Sequence, residues 1–212
     1  MTFSGARATL EGALIAAAAL LALAPMPAVA GAQVEEQLAQ SVVAGLQRAI
    51  ADNPVPADYA NKPGLRLWID EMSRRLAPRI PDLRTRDDFV ATVHYEASRA
   101  GLDPQLVLGV IQYESNFRKY AISSADARGY MQVMPFWTKL IGATEHNLFH
   151  LRTNLRYGCV ILRHYLDTES GDLYRALGRY NGSLGQAEYP NMVRAAWHNQ
   201  WSYAPPPKQV RQ

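Results

Sequence analysis

Three short runs hold the polar groups best suited to chemistry: Tyr113-Glu114-Ser115-Asn116-Phe117, Gly129-Tyr130-Met131-Gln132 and Arg179-Tyr180-Asn181-Gly182-Ser183. One carboxylate, Glu114, is common to any reaction they could support. The segment before it, Gly101-Leu102-Asp103-Pro104, is a loop that hands over to a helix, with Asp103 as N-cap and Pro104 in the first helical position. Leu106, Val110 and Phe117 recur at helical spacing, and Glu114 falls on or beside that buried stripe in the last turns. Burial and the negative end of the helix dipole both disfavour an ionised carboxyl there, so its pKa rises. A carboxyl kept protonated near neutral pH is a general acid. The alternative is a structural ion pair with Arg118 or Arg128.

Gln132 and Asn181 each pair a carbonyl acceptor with an amide donor, the combination needed to read an acetamido group or sugar hydroxyls. The ordered set Leu102-Asp103-Pro104, Glu114-Ser115-Asn116-Phe117, Gly129-Tyr130-Met131-Gln132-Val133-Met134-Pro135, Asn154-Leu155 with Gly158, and Tyr180-Asn181-Gly182 resembles the catalytic domain of the soluble-lytic-transglycosylase type of peptidoglycan lytic transglycosylases. The resemblance covers about half of the chain. It implies a mainly α, lysozyme-like fold, here with an additional N-terminal helical segment, and cleavage of the β-1,4 bond between N-acetylmuramoyl and N-acetylglucosaminyl units without a cofactor. Glu114 would protonate the departing oxygen. It would then take the proton of the muramoyl C6 hydroxyl, closing a 1,6-anhydro ring in place of hydrolysis.

By the same resemblance, Tyr180 would hydrogen-bond the glutamate, Ser115, Gln132 and Asn181 would contact substrate, and Met131 would shape the cleft floor beside Gly129. The chain departs from the family pattern at Tyr130, where leucine is usual, and at Gly182-Ser183, where many members carry Ala-Gly. Asp126 is the only nearby second carboxylate, in a loop where a small residue is expected. It keeps open a muramidase of the same fold that lets water attack. A non-catalytic wall-binding protein is the reading from a different class. Tyr189 and Trp197 are either sugar-stacking surface or core.

Composition bounds the remainder. A chain of 212 residues with 48% hydrophobic content suffices for one domain with a real core and a modest extra segment. Arg7, the apolar run from Ala13 to Ala24 and Ala28-Val29-Ala30 form the pattern of a secretory signal over residues 1–30. That places the mature chain in the periplasm without stable membrane insertion, although a retained anchor is the alternative. The single cysteine, Cys159, excludes an internal disulfide and lies in an apolar helical stretch, which assigns it to the core. The net charge of +3 and the Arg74, Arg75, Arg79, Arg84, Arg86 cluster point, in an exported chain, to anionic wall components or a solvated helix face, not to nucleic acid. Glycan strands are the expected partner, with a cell-envelope or secretion apparatus left open. His146 and His150 are spaced four apart, but no third ligand accompanies them and no metal site is assigned.

The rest of the mature chain is patterned as helices. The periodicity predicts them over Val34 to Ala51, Leu65 to Leu76, Phe89 to Arg99 after a Thr85-Arg86-Asp87-Asp88 start, Pro135 to Ile141, Asn154 to Leu166, Leu173 to Tyr180 and Glu188 to Trp201. No run alternates with strand periodicity. The expected organisation is an N-terminal helical segment at 31–84, a catalytic domain at 85–203 and a disordered tail at 204–212. Packing against the catalytic domain, partner binding and control of access are all open for the N-terminal segment.

Overall fold

The computed structural model describes residues 32–51, 55–56 and 58–204. The expected signal, the Asn53-Pro54 break and nearly all of the tail lie outside those residues. Eight α-helices are described: α1 (Gln40–Ile50), α2 (Pro63–Leu76), α3 (Leu83–Arg99), α4 (Pro104–Ser115), α5 (Phe136–Ile141), α6 (Leu151–Thr168), α7 (Leu173–Tyr180) and α8 (Glu188–Ala196). A 3-10 turn at Tyr59–Asn61 precedes α2, and a π-helical turn, Trp197–Trp201, continues α8. The described residues form no strand. Two isolated bridges, Ile122 to Arg128 and Arg128 to Val133, stand beside the Gly129 to Met134 segment. The fold is the mainly α, lysozyme-like one.

Helix α6 is the axis of the core. Leu155, Cys159, Ile161 and Leu162 are fully buried within it, and it packs against α3 on one side and α7 on the other. Gly158 lets the Met131 side chain lie directly on the helix, since a Cβ there would come within 2.4 Å of the sulfur. Cys159 is a buried free thiol, and burial pushes its pKa well up.

The N-terminal segment joins the same core. Ile69, Met72 and Leu76 of α2 are completely buried in one cluster with Phe89, Val93, Leu108 and Ile111, each such side chain contributing about 1.5–3 kcal/mol of hydrophobic stabilisation. Arg75 donates to the Gln200 and Ser202 carbonyls, and Arg86 to those of Ile80 and Pro81. Part of the arginine cluster therefore ties chain segments together.

Four helix starts differ from the sequence expectation by more than one residue: α2 opens at Pro63 and α6 at Leu151, each slightly early, and α1 and α3 differ for identifiable reasons. Helix α3 begins at Leu83 because Asp82 accepts a hydrogen bond from the Thr85 amide, so the expected 84/85 boundary falls inside a helix. Helix α1 begins at Gln40, and residues 32–39 are irregular instead of continuing the Val34 periodicity. That stretch is held by tertiary contacts made through Gln33.

Candidate active site

Helix α4 delivers Glu114 one residue before its end. Its start follows the expected rule: Pro104 opens the helix and the Asp103 carboxylate accepts from the Gln105 amide at 2.8 Å. The other Asp103 oxygen accepts from the Trp197 indole, which anchors the start of α4 to the end of α8. Helix α4 stops at Asn116 in the left-handed region, followed by Phe117 at φ 63°. Two consecutive non-glycine residues there are costly, roughly 1–3 kcal/mol each. Phe117 is nevertheless fixed by edge-on packing against Phe89 and Trp201, and Arg79 reaches from beyond α2 to donate to the Asn116 side-chain carbonyl at 3.0 Å.

Among the described residues, one side chain hydrogen-bonds the Glu114 carboxyl. The Tyr189 hydroxyl donates to its Oε1 at 2.5 Å. Burial drives the Glu114 pKa up to about 8, and the Tyr189 hydrogen bond opposes that rise only in part. Tyr189 is itself pushed well above the ordinary tyrosine value, by burial and by the neighbouring carboxylate. Neither candidate ion-pair partner is used. Arg118 donates to the Ser115 carbonyl, and Arg128 makes a two-bond pair with Asp126, at 3.1 and 2.9 Å. Glu114 is therefore a desolvated carboxyl that is protonated at neutral pH.

Helix α8 can bring Tyr189 this close because α4 offers it a smooth surface. Gly109 faces α8 with no side chain, and a Cβ there would lie 3.1 Å from the Val193 carbonyl and 3.3 Å from the Trp197 amide nitrogen. Trp201 adds a bond from its indole to the Gln112 side-chain carbonyl at 2.8 Å.

The segment from Gly129 to Met134 forms the facing wall, and Asn154 of α6 organises it. The Asn154 carbonyl accepts from the Met131 amide, while its amide donates to the Arg128 and Leu148 carbonyls, all at 2.8 Å. Gly129 has φ 75°, and a Cβ there would strike the Asn154 amide and the Leu148 carbonyl at 2.4 and 2.5 Å. Ser115 Oγ donates to the Tyr130 carbonyl at 2.7 Å, linking the residue after Glu114 to this wall.

The other sequence-derived site residues lie around that wall. Tyr180 is fully buried and donates to the Met131 carbonyl at 2.8 Å. The hydroxyl that meets Glu114 is Tyr189's, where the resemblance had pointed to Tyr180. Tyr180 remains within electrostatic range of Glu114. The Gln132 amide donates to the Gly129 and Ala121 carbonyls, and the Asn181 amide to Ser183 Oγ at 3.0 Å. Ser115, Met131, Gln132 and Asn181 are all buried, so their side chains brace the wall in this state. Two main-chain groups of the wall, the Gln132 carbonyl and the Met134 amide, are bonded by Gln33, which lies outside it.

Outside this wall, Trp197 stacks on His198, Tyr130 packs on Phe89 with centroids 4.8 Å apart, and His146 meets the Tyr157 hydroxyl at 2.7 Å in the turn before α6. A second buried carboxylate, Glu96, is surrounded by Arg99, Arg152 and Arg156 at 3.0, 3.6 and 3.5 Å. This cluster joins α3 to α6, and the sequence offered no sign of it.

Comparison with known proteins agrees with this geometry. A profile of the transglycosylase SLT domain matches residues 91–196, half of the chain. A protein named transglycosylase from Enterobacteria phage PRD1 is 37% identical over 98 residues, covering 46% of this chain and 36% of the phage protein. Proteins named membrane-bound lytic murein transglycosylase C, from Mannheimia succiniciproducens and Haemophilus influenzae, are 47% identical over 47 residues, covering 22% of this chain and 13% of their own length. This chain thus matches well under half the length of each of these relatives. Among the described residues no helix is long and apolar enough to cross a membrane. Glu114, Gly129 to Met134, Asn154, Tyr180 and Tyr189 all fall inside the matched region, and the chain belongs to the transglycosylase SLT domain family.

Proposed function

We propose that this chain is an exported lytic transglycosylase that cleaves the β-1,4 bond between N-acetylmuramoyl and N-acetylglucosaminyl units of peptidoglycan. The observation that carries the reading is the state of Glu114: a desolvated carboxyl with a pKa of about 8, held by the Tyr189 phenol and, among the described residues, paired with no arginine. A group in that state has a proton to give at neutral pH. Once it has protonated the leaving oxygen it is an anion in a poorly solvated site, and so a strong base for the muramoyl C6 hydroxyl. Closure of a 1,6-anhydro ring then returns the proton to Glu114 and completes the cycle.

No second protein carboxylate is required, because the substrate's acetamido oxygen can stabilise the oxocarbenium-like centre. Asp126 is poorly suited to activating water, as both of its oxygens are engaged by Arg128 and its side chain is 55% exposed. The words murein transglycosylase in the names of two relatives support the same substrate and reaction class. Export rests on Arg7 and the apolar run that ends in Ala28-Val29-Ala30. The test is digestion of purified sacculi by the wild-type chain and by Glu114→Gln. Release of anhydro-muramoyl products that falls about 100-fold or more in a folded variant is expected; equal release would remove Glu114 from the mechanism.

A further inference from the structure

The irregular stretch before α1 lies on the wall that faces Glu114. Gln33 is 95% buried although its neighbours Val34, Glu35, Glu36 and Gln37 are exposed. Its carboxamide reads the wall with both ends: the amide donates to the Gln132 carbonyl at 3.3 Å, and the carbonyl accepts from the Met134 amide at 3.2 Å. On its other side Gln33 interacts with the Tyr180 phenol, which in turn is within electrostatic range of Glu114. One residue earlier, the Ala32 carbonyl presses on Gly182 so closely that a Cβ at Gly182 would sit 2.0 Å from its oxygen. Three residues later, Glu36 pairs with Arg179 at 2.9 Å.

A carboxamide on a short methylene stem has the same carbonyl and N–H groups as an acetamido substituent on a sugar. The Gln132 carbonyl and the Met134 amide form a matched acceptor and donor for such a group. We propose that residues 32–38 are a strap lying in the saccharide groove, with Gln33 standing in for an acetamido group, so that the chain is held closed until substrate or a partner displaces it. This rests on the reading of the cleft as a peptidoglycan site. The strap is built to leave: before Leu38 it buries no large apolar side chain, and its attachments are two long neutral hydrogen bonds, the contact with the Tyr180 phenol, one glycine contact and one ion pair near the surface.

Competition from an internal ligand lowers apparent affinity by the fraction of open molecules. The test is calorimetric titration of the full chain with the tetramer of N-acetylglucosamine, beside Gln33→Ala and Glu36→Lys, with sacculus digestion by the same three proteins. Loss of the Gln33 contacts should tighten tetramer binding about three- to ten-fold. Glu36→Lys, which sets a cation against Arg179, should tighten it in the same direction by less. Weaker or unchanged binding in Gln33→Ala with an unaltered melting profile would show that the strap is a fixed wall of the groove and overturn the proposal. Absence of tetramer binding in all three would overturn it too. Failure of all three to release muropeptides would count against the enzymatic reading, while the titration still decides the strap.

Discussion

Replacing Tyr189 by phenylalanine removes the hydrogen bond that holds Glu114. The phenol donates to the carboxylate, so it stabilises the ionised form and lowers a pKa that burial has raised to about 8. A hydrogen bond to a charged group contributes about 1.5–3 kcal/mol, and 1.36 kcal/mol corresponds to one pH unit. Tyr189→Phe should therefore move the Glu114 pKa upward by about one to two pH units. Because the reaction starts from protonated Glu114, activity in the parent chain should fall as pH rises through about 8. In the variant that alkaline limb should appear at higher pH, while the plateau rate drops about ten-fold because the carboxyl has lost its positioning contact. The assay is clearing of purified sacculi from pH 5 to about 10, read as initial rate against pH. An alkaline limb that stays in place, or moves down, would refute the assignment of Tyr189 to the carboxylate. A lower plateau with no shift in the limb would mean that the phenol acts through packing alone.

Glu114→Gln should stabilise the protein at alkaline pH. A carboxyl whose folded pKa is raised from 4.5 to about 8 costs the native state nothing where both states are protonated and progressively more as pH rises toward about 8, so the variant's advantage should be about 4 kcal/mol at pH 8 and vanish near pH 4 in paired thermal melts. Gly109→Ala should push α8 away from α4, since its new Cβ would lie 3.1 Å from the Val193 carbonyl; a stability loss of about 1–2 kcal/mol in denaturant should come with a lower sacculus-clearing rate. Asn154→Ala leaves the Met131 amide and the Arg128 and Leu148 carbonyls without their shared partner and should cost about 3 kcal/mol in urea titration, with activity lost in proportion to wall disorder.

The parts of this architecture that depend on neighbours in the chain were legible without coordinates. Asp103 and Pro104 fix the start of α4 through a cap spanning two residues, and the helical period carries Glu114 to its far end. Helices α5 and α7 match their expected spans closely for the same reason. Helix α1 was overextended because Val34 and Leu38 continue its period, whereas Gln33 is drawn away by partners about a hundred positions on. The start of α3 was placed late although Asp82 and Thr85 form a local cap, a signal present in the sequence but outweighed by the acidic pair after it. Tyr189 could not be assigned from periodicity: it is one aromatic residue on an amphipathic helix, and its partner lies 75 positions away. Glu96 and its three arginines come from α3 and α6 and carry no pattern that either helix shows alone. Gly182, conspicuous only as a departure from the family pattern, is explained by the Ala32 carbonyl that occupies the space of its missing side chain.

The central claim is that one carboxyl, Glu114, serves as acid and then as base, with the substrate's own C6 hydroxyl in place of water. Digesting purified sacculi in heavy-oxygen water and weighing the released muropeptides tests it most directly. Unlabelled anhydro-muramoyl ends, absent from the Glu114→Gln digest, are the expected result; reducing ends that carry one heavy oxygen would show that water attacks and would contradict it.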